Sequence, residues 1–503
     1  MFILHRQWIY KEEKKKICLM SLGISFSSLI LLPTIALALI MISVISLSLF
    51  LPYWFDSYSL GNDILSLVTS FTDEVGSTIL RGIQTFSLYI PLGIIGIWRW
   101  GIWIFKKLCS LSYKPIEPEN KVENYTMSLI TPVYNEDPRV FRTALDSWQS
   151  NNPDELIAVI DQKDTHCIRV FREFAQDKPW AKLIVTSKAG KRPALADGIL
   201  ASKCDILALV DSDTIWDHNI RDKLLAPFQN PIIGGVTTRQ HPIERHTVWQ
   251  KMTDIFWDMR NYYDLPSQTA MAKALTCLSG RTSLYRRQII LPKLNEFLNE
   301  ILFGRKKESG EDKCLTRLVQ RDGWKTYYQS NAIVFSSAAS DFKTFWSQRL
   351  RWSRNSHNSD IISLWDGWAW KNPYLAFYMI DRFITVFTLF FGPIFFSISV
   401  YFNDWVVALS ILGLWICGRG IKIIPHLRRH SKDILLLPVY VGVNFLLAFV
   451  KLYALVTIRE QKWIRSAQER TVKPKGYFKK IKDIILTTEI ICSLVIFVVL
   501  VLQ

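Results

Sequence analysis

The apolar run "ILALV" at 206–210 stops at Asp211, and Asp213 follows two residues later in "DSDTIW". Residues two apart in an extended segment point the same way, so these carboxylates repel unless a cation lies between them. An Asx turn closing a strand would account for an isolated D-x-D; a divalent-metal site is the chemical alternative. Other stretches carry reactive groups. "TPVYNEDPRVFRTALDSW" (131–148) runs from a strand end into a helix, and "AVIDQKD" follows, with Asp161 closing a second apolar run. "SKAGKRPALADGI" (187–199) sets Lys188, Lys191 and Arg192 around Gly190 ahead of a helix. "LSGRTSLYR" (278–286) puts Arg281 after Gly280, "SGEDKCLT" (309–316) puts Glu311 and Asp312 at a helix start, and "QRLRW" (348–352) supplies Gln348, Arg351 and Trp352. Singly each reads blandly: a basic turn is usually solvated, and acids before a helix usually cap it.

The elements that must position these groups are legible from patterning. Over 112–345, short apolar runs such as "MSLITPVYN", "ELIAVID", "KLIVTS" and "DILALVD" alternate with amphipathic segments, which predicts an α/β domain with a mostly parallel sheet. Functional residues belong where such strands end. Around this domain the chain is apolar. Of its 503 residues 49% are hydrophobic, and the mean hydropathy of +0.13 fits a chain part soluble and part membrane-spanning. Segments 17–51 and 84–105 predict two N-terminal spans within 1–111. Apolar segments return at 383–402, 405–424, 434–458 and 484–502, predicting a membrane region over 375–503. Between them, 346–374 is Trp-rich and predicts amphipathic interface helices.

Charge orients the chain. Arg6, Lys11, Lys14, Lys15 and Lys16 precede the first span, whereas 52–83 carries four acids against Arg81. The positive-inside rule then puts the N-terminus and the α/β domain in the cytoplasm. The connection at 459–482 holds nine Lys or Arg, so it is expected inside too, which requires 434–458, with Pro438 and Lys451, to lie in the interface or re-enter. The net charge of +17 is thus a membrane-orientation signal rather than a nucleic-acid surface. The eight dispersed cysteines, with no C-x-x-C, support neither a zinc site nor a disulfide framework.

The order and spacing of the chemistry-bearing stretches beside a membrane resemble the processive membrane glycosyltransferases of family 2: hyaluronan, chitin oligosaccharide, cellulose and alginate-polymerising mannuronan synthases. The resemblance implies a GT-A-like domain embedded in a multi-pass helical membrane domain of the cell membrane. It implies a polysaccharide extended from nucleotide-sugar donors, UDP- or GDP-linked, and passed across the bilayer by the same polypeptide. It carries roles with it: Asp211 and Asp213 for Mg2+ or Mn2+, Asp161, Lys188, Lys191, Arg192 and Arg351 for the donor, Asp312 with Glu311 for catalysis, and Gln348 and Trp352 for the acceptor. The chemistry agrees, because a departing nucleotide diphosphate gathers charge that a hard cation offsets, and one carboxylate base suffices for an inverting displacement.

Hyaluronan and chitin synthases typically read S-G-P or C-G-P where this chain has Ser279-Gly280-Arg281, and S-G-R looks more like the alginate group. "TPVYNEDP" and "GEDKCLT" lean the other way. A hyaluronan-like synthase is the leading expectation, with a mannuronan synthase or a chitin oligosaccharide synthase as alternatives, and a transporter with a degenerate domain as the non-enzyme one. Arg281 is expected at the acceptor site, where a guanidinium fork suits a uronic acid carboxylate.

Overall fold

The computed structural model describes residues 93–118, 125–302 and 304–460. The expected span at 17–51, the acidic connection at 52–83, the final span at 484–502 and the basic connection past Glu460 lie outside these residues.

Four apolar runs became strands: β1 (Met127–Val133), β2 (Glu155–Asp161), β3 (Ala181–Thr186) and β4 (Ile206–Val210); β1, β2 and β4 are buried along nearly their whole length, as expected of strands covered on both faces, and β3 is the half-exposed edge. They pair in parallel in the order β3-β2-β1-β4. β5 (Thr214–Trp216), β6 (Ile233–Pro242), β7 (Thr282–Arg286) and β8 (Lys325–Ser336) extend the sheet as β4-β7-β6-β8-β5. β7 runs antiparallel to both neighbours, and β5 runs antiparallel to β8. The sheet is therefore mixed, with the expected parallel arrangement confined to its first half and the β6–β8 pair.

Period-two alternation splits the core. Met127, Leu129, Val133, Ile206, Ala208 and Val210 face one layer, and Ile130, Leu207 and Leu209 face the other. On the first face packs α1 (Pro138–Gln149), whose Phe141, Ala144, Leu145 and Trp148 recur at helical spacing and are fully buried. Asp137 caps it by accepting from Arg139 N, and Pro138 occupies the first turn, where its missing N–H costs nothing. Trp148 also donates Nε1–H to Thr214 O at 2.9 Å, so Trp148→Ala, at about 3–5 kcal/mol, is the change that would loosen this layer most. On the second face lie α2 (Lys191–Ala201) and α4 (Glu311–Arg321), the latter after α3 (Val248–Met259) in the chain. This is the GT-A-like α/β domain.

Helix α5 (Phe342–Trp365) leaves the domain, capped by Asp341 accepting from Thr344 N. Its far end exposes Trp365 at 88%, suited to a headgroup layer. Among the described residues three segments are long and apolar enough to cross a membrane: α6 (Pro373–Tyr401), α7 (Trp405–Lys422) and Ser431–Val456, whose α-helical part is α8 (Leu437–Val456). Pro438 lies in the first turn of α8 and does not interrupt it, so the break that a re-entrant turn at Pro438 would need is absent. A charge within α6, Asp381, is paired with Lys106 at 3.0 Å.

Candidate active site

The C-terminal ends of β1, β2 and β4 open onto a cleft of about 230 Å³ lined by Asp161, Lys188, Lys191, Asp211, Asp213 and Arg351, among others. Of the residues expected at the donor, one stands elsewhere. Arg192 is 3% exposed and points away, donating to Phe297 O, Ser309 O and Glu300 at 2.7–3.1 Å. As the second residue of α2 it emerges from the opposite side of the helix to the cleft. It is held in a buried cluster with Glu300, Arg317 and Lys307.

Lys191 joins two of the expected groups. Its ammonium bonds Asp211 and, at 2.7 Å, Glu311. Burial opposes ionisation of Glu311, but Lys191 outweighs it and holds the carboxyl down near about 2. Glu311 is thus an ion-paired carboxylate that anchors Lys191 beside Asp211. Gly280 makes this approach possible, since a Cβ there would lie 3.2 Å from Lys191 Nζ and 3.6 Å from Asp211 Oδ1.

A fourth acid enters the cleft that motif reading had passed over. Glu136, from "YNEDP", accepts from Ser212 Oγ at 2.8 Å, between the two aspartates in sequence. Burial, then the nearby Asp213 and Asp211, push Glu136 up to about 7. Burial likewise raises Asp211, against the pull of Lys191 and with Asp213 adding to it. Crowded, half-buried carboxylates with this mutual penalty fit a hard divalent cation, which would reverse it.

Asp312 stands at a seam. It lines a narrow space shared with Lys191, Asp211 and Gly280, and also a second cavity of about 250 Å³ on the other side. Its Oδ1 accepts from Lys313 N at 2.7 Å, and its Oδ2 accepts from the thiol of Cys277 at 3.2 Å. Burial and then Asp312 push that thiol up to about 12, so it stays protonated and able to donate. Gly310, at φ +77°, turns the chain into α4 so that Asp312 falls in the first turn. Nothing in the residues around Cys277 had marked it.

The second cavity is walled by Trp257, Arg281, Arg349 and Trp352 among others. Successive helical residues are about 100° apart, so α5 presents Arg351 to the first cleft and Trp352 to the second. Gln348 does not line either; its Oε1 is buried without a hydrogen-bond partner. Arg281 donates to Gln240 Oε1 at 3.1 Å and Ser279 Oγ at 3.4 Å, with its guanidinium 4.2 Å from the Trp257 ring.

Another cluster holds acids close together: ligand atoms of His241, Asp254 and Asp258 lie within 4.8 Å of one another. They already have cationic partners, Arg245 on Asp254 at 2.7 Å and Arg429 on Asp258 at 2.6 Å, and His426 bridges Asp258 and Asp433. This is an ion-pair network joining β6 and α3 to the segment between α7 and α8.

Residues 125–355 match the family model described as "Glycosyltransferase like family 2". The chain carries a family 2 glycosyltransferase domain. Among curated relatives, it is 26% identical to the hyaluronan synthase of Streptococcus pyogenes over 74% of this chain and 90% of the relative. It is also 26% identical to a type 2 glycosyltransferase of Zymoseptoria tritici, over 70% and 78%. A solved structure, the mannosyltransferase PcManGT from Pyrobaculum calidifontis in complex with GDP-Man and Mn2+, aligns with TM-score 0.49 at 15% identity, covering 70% of this chain and 96% of that one. The transferase is thus hyaluronan-synthase-like in sequence and a hexosyltransferase by class. The transporter alternative is not favoured.

Proposed function

We propose that this transferase polymerises a β-linked polysaccharide from nucleotide-sugar donors and passes it across the membrane in which its helices lie, most like a hyaluronan synthase. The observation that carries the reading is the place of Asp312, which lines both the cavity with an aromatic platform and a narrow space that shares Pro132, Lys191 and Asp211 with the cleft fit for a nucleotide diphosphate. Donor and acceptor sugars would meet there. The acceptor hydroxyl attacks the anomeric carbon, its proton passes to Asp312, the bond from that carbon to the diphosphate oxygen breaks, and its electron pair leaves with the nucleotide. One displacement inverts the anomeric centre.

Asp213 and Asp211, with Glu136 beside them, would hold Mg2+ or Mn2+, which supplies charge neutralisation for the departing diphosphate. Arg351 adds a permanent planar cation on the same side, Asp161 and Lys188 border the nucleotide, and Trp352 carries the acceptor sugar. The expected parts, with 112–345 as transferase, 346–374 as interface and the flanking segments in the bilayer, follow from this division of labour. Supporting an interfacial position for α8, its Tyr440, Val443, Leu447 and Val450 share an apolar cluster with Met252 and Ile255 of α3 and Phe345 of α5.

The test is a donor screen on the purified full-length protein in lipid, with UDP- and GDP-sugars singly and in pairs. Nucleotide release that requires Mg2+ or Mn2+, together with a long product, is expected. A GDP-sugar as sole productive donor would move the assignment to a mannuronan-type synthase, and release tied to transfer of one sugar would overturn processivity.

A further inference from the structure

The turn that delivers Asp312 is gripped from two sides. On the donor side two consecutive residues of α2 hold it: Lys191 bonds Glu311 at 2.7 Å, and Arg192 Nη2 donates to Ser309 O at 3.1 Å. On the other side stands α5. There the hydroxyl of Ser309 donates to Asn355 Oδ1 at 2.9 Å, and both residues are buried. Gly310 lies flush against the same side chain, since a Cβ on it would sit 3.2 Å from Asn355 Cγ. Asn355 also lines the second cavity, together with Asp312 and Trp352.

The spacing along α5 gives this contact its meaning. Asn355 follows Arg351 by four residues and Trp352 by three, which makes it their neighbour on the helix surface. One turn of α5 therefore sends a cation to the first cleft, an aromatic ring to the second cavity, and a hydrogen-bond acceptor to the turn before the base. A carboxylate base works only within hydrogen-bond reach of the hydroxyl it deprotonates. If the indole of Trp352 carries the acceptor sugar, the distance from that indole to Asp312 has to be fixed, and the bond between Ser309 and Asn355 ties the turn to the helix that bears the indole. A buried Ser–Asn bond serving packing alone would contribute about 1 kcal/mol to stability and nothing to the rate of transfer.

We infer that Asn355 is a positioning residue for the transfer: it locks the turn at Ser309 and Gly310 to α5 and so holds Asp312 within reach of the hydroxyl of a sugar seated on Trp352. The inference rests on the reading of Asp312 as the base.

The test uses full-length protein in lipid. Asn355→Ala and Ser309→Ala should each lower kcat about tenfold or more, with donor KM and nucleotide affinity changed by less than about twofold. Because both substitutions remove one and the same bond, the double variant should be no slower than the slower single one. Hydrogen exchange of the amides at 309–313, which needs no turnover, should rise in each variant. An unchanged kcat in either single variant would overturn the positioning role. Losses that add in full in the double variant would do the same, and so would a fall in nucleotide affinity that keeps step with kcat. Should Asn355→Ala not accumulate as folded protein, Ser309→Ala alone decides on the same terms. Undiminished turnover in Asp312→Asn, beside raised exchange at 309–313 in Asn355→Ala, would sink the base reading and leave the lock between the turn and α5 standing.

Discussion

Asp312 and Asp213 are both carboxylates in one active site, yet their surroundings assign them different work. Asp213 shares its cleft with Glu136 and Asp211, whose negative charges are crowded; Asp312 receives hydrogen bonds from Lys313 N and Cys277 and lines the cavity proposed for the acceptor. Asp213→Asn and Asp312→Asn should each abolish polymer synthesis, but only the first should weaken metal-dependent nucleotide binding, measured by calorimetry with and without Mn2+. Equal losses of nucleotide binding would erase the distinction. Cys277 gives a finer test. Cys277→Ala removes a hydrogen bond that Asp312 accepts and should lower kcat several-fold with little change in nucleotide affinity. Cys277→Ser, which keeps a donor, should restore most of it. An unchanged kcat in Cys277→Ala would reduce the thiol to packing. The D-x-D, G-E-D and Q-x-x-R-W groups were legible because each is a spacing of charged or aromatic residues within a few positions. Cys277 was not, because its contact with Asp312 joins segments far apart in the chain.

At the scale of elements, Arg192 shows how a motif residue can be misread. A basic turn ahead of a helix offers adjacent cations, but adjacent helical positions face different ways: Lys191 enters the cleft and Arg192 pins α2 to α4 through Glu300. Burial disfavours the Glu300 anion, but Lys307, Arg192 and Arg317 outweigh it and hold the carboxyl at about 2, against an ordinary 4.5. A carboxyl depressed in the folded state stabilises the fold above its unfolded value, so this contribution should be complete above about pH 4.5 and fall away as pH drops toward 2. Glu300→Gln leaves three buried cations short of their anion and should cost about 3–5 kcal/mol at neutral pH. Melting temperature followed against pH should show a shallower acid slope in the variant; parallel slopes would mean that Glu300 is not the group that titrates. The strands themselves were readable, since β1, β2 and β4 are short, mainly apolar runs, β2 and β4 ending in or just before an aspartate. The antiparallel insertion of β7 was not, because "TSLYR" carries nothing that fixes which strand it pairs with, and pairing is decided by tertiary contact.

For the whole molecule the open question is on which side of the membrane the chain continues after α8. Length and hydropathy qualify Ser431–Val456 as a span, and a span there would carry the nine basic residues of 459–482 to the outside, against the positive-inside rule. Packing argues for the interface: one flank of α8 lies on α3 and on Phe345 of α5, and past its end Thr457 accepts from Arg354 of α5. A helix tied on one flank to the transferase domain and to α5 has part of its apolar surface covered by protein, 44% of the apolar stretch being buried, so its hydropathy alone does not require a crossing. The basic connection should then remain cytoplasmic. In a background lacking other reactive thiols, a cysteine at position 466 in place of Ser466 should resist impermeant maleimide in intact cells and react after permeabilisation. One replacing Ser57, in the acidic connection expected outside, should react in intact cells. Labelling at 466 from outside would make α8 a crossing helix and would require the charge rule to be overridden by the ion-pair network that holds the α7–α8 connection to β6 and α3. Breaking that network with Asp258→Asn, which leaves Arg429 and His426 without their shared anion, would then be expected to change the labelling at 466, whereas an interfacial α8 should leave it protected in both proteins.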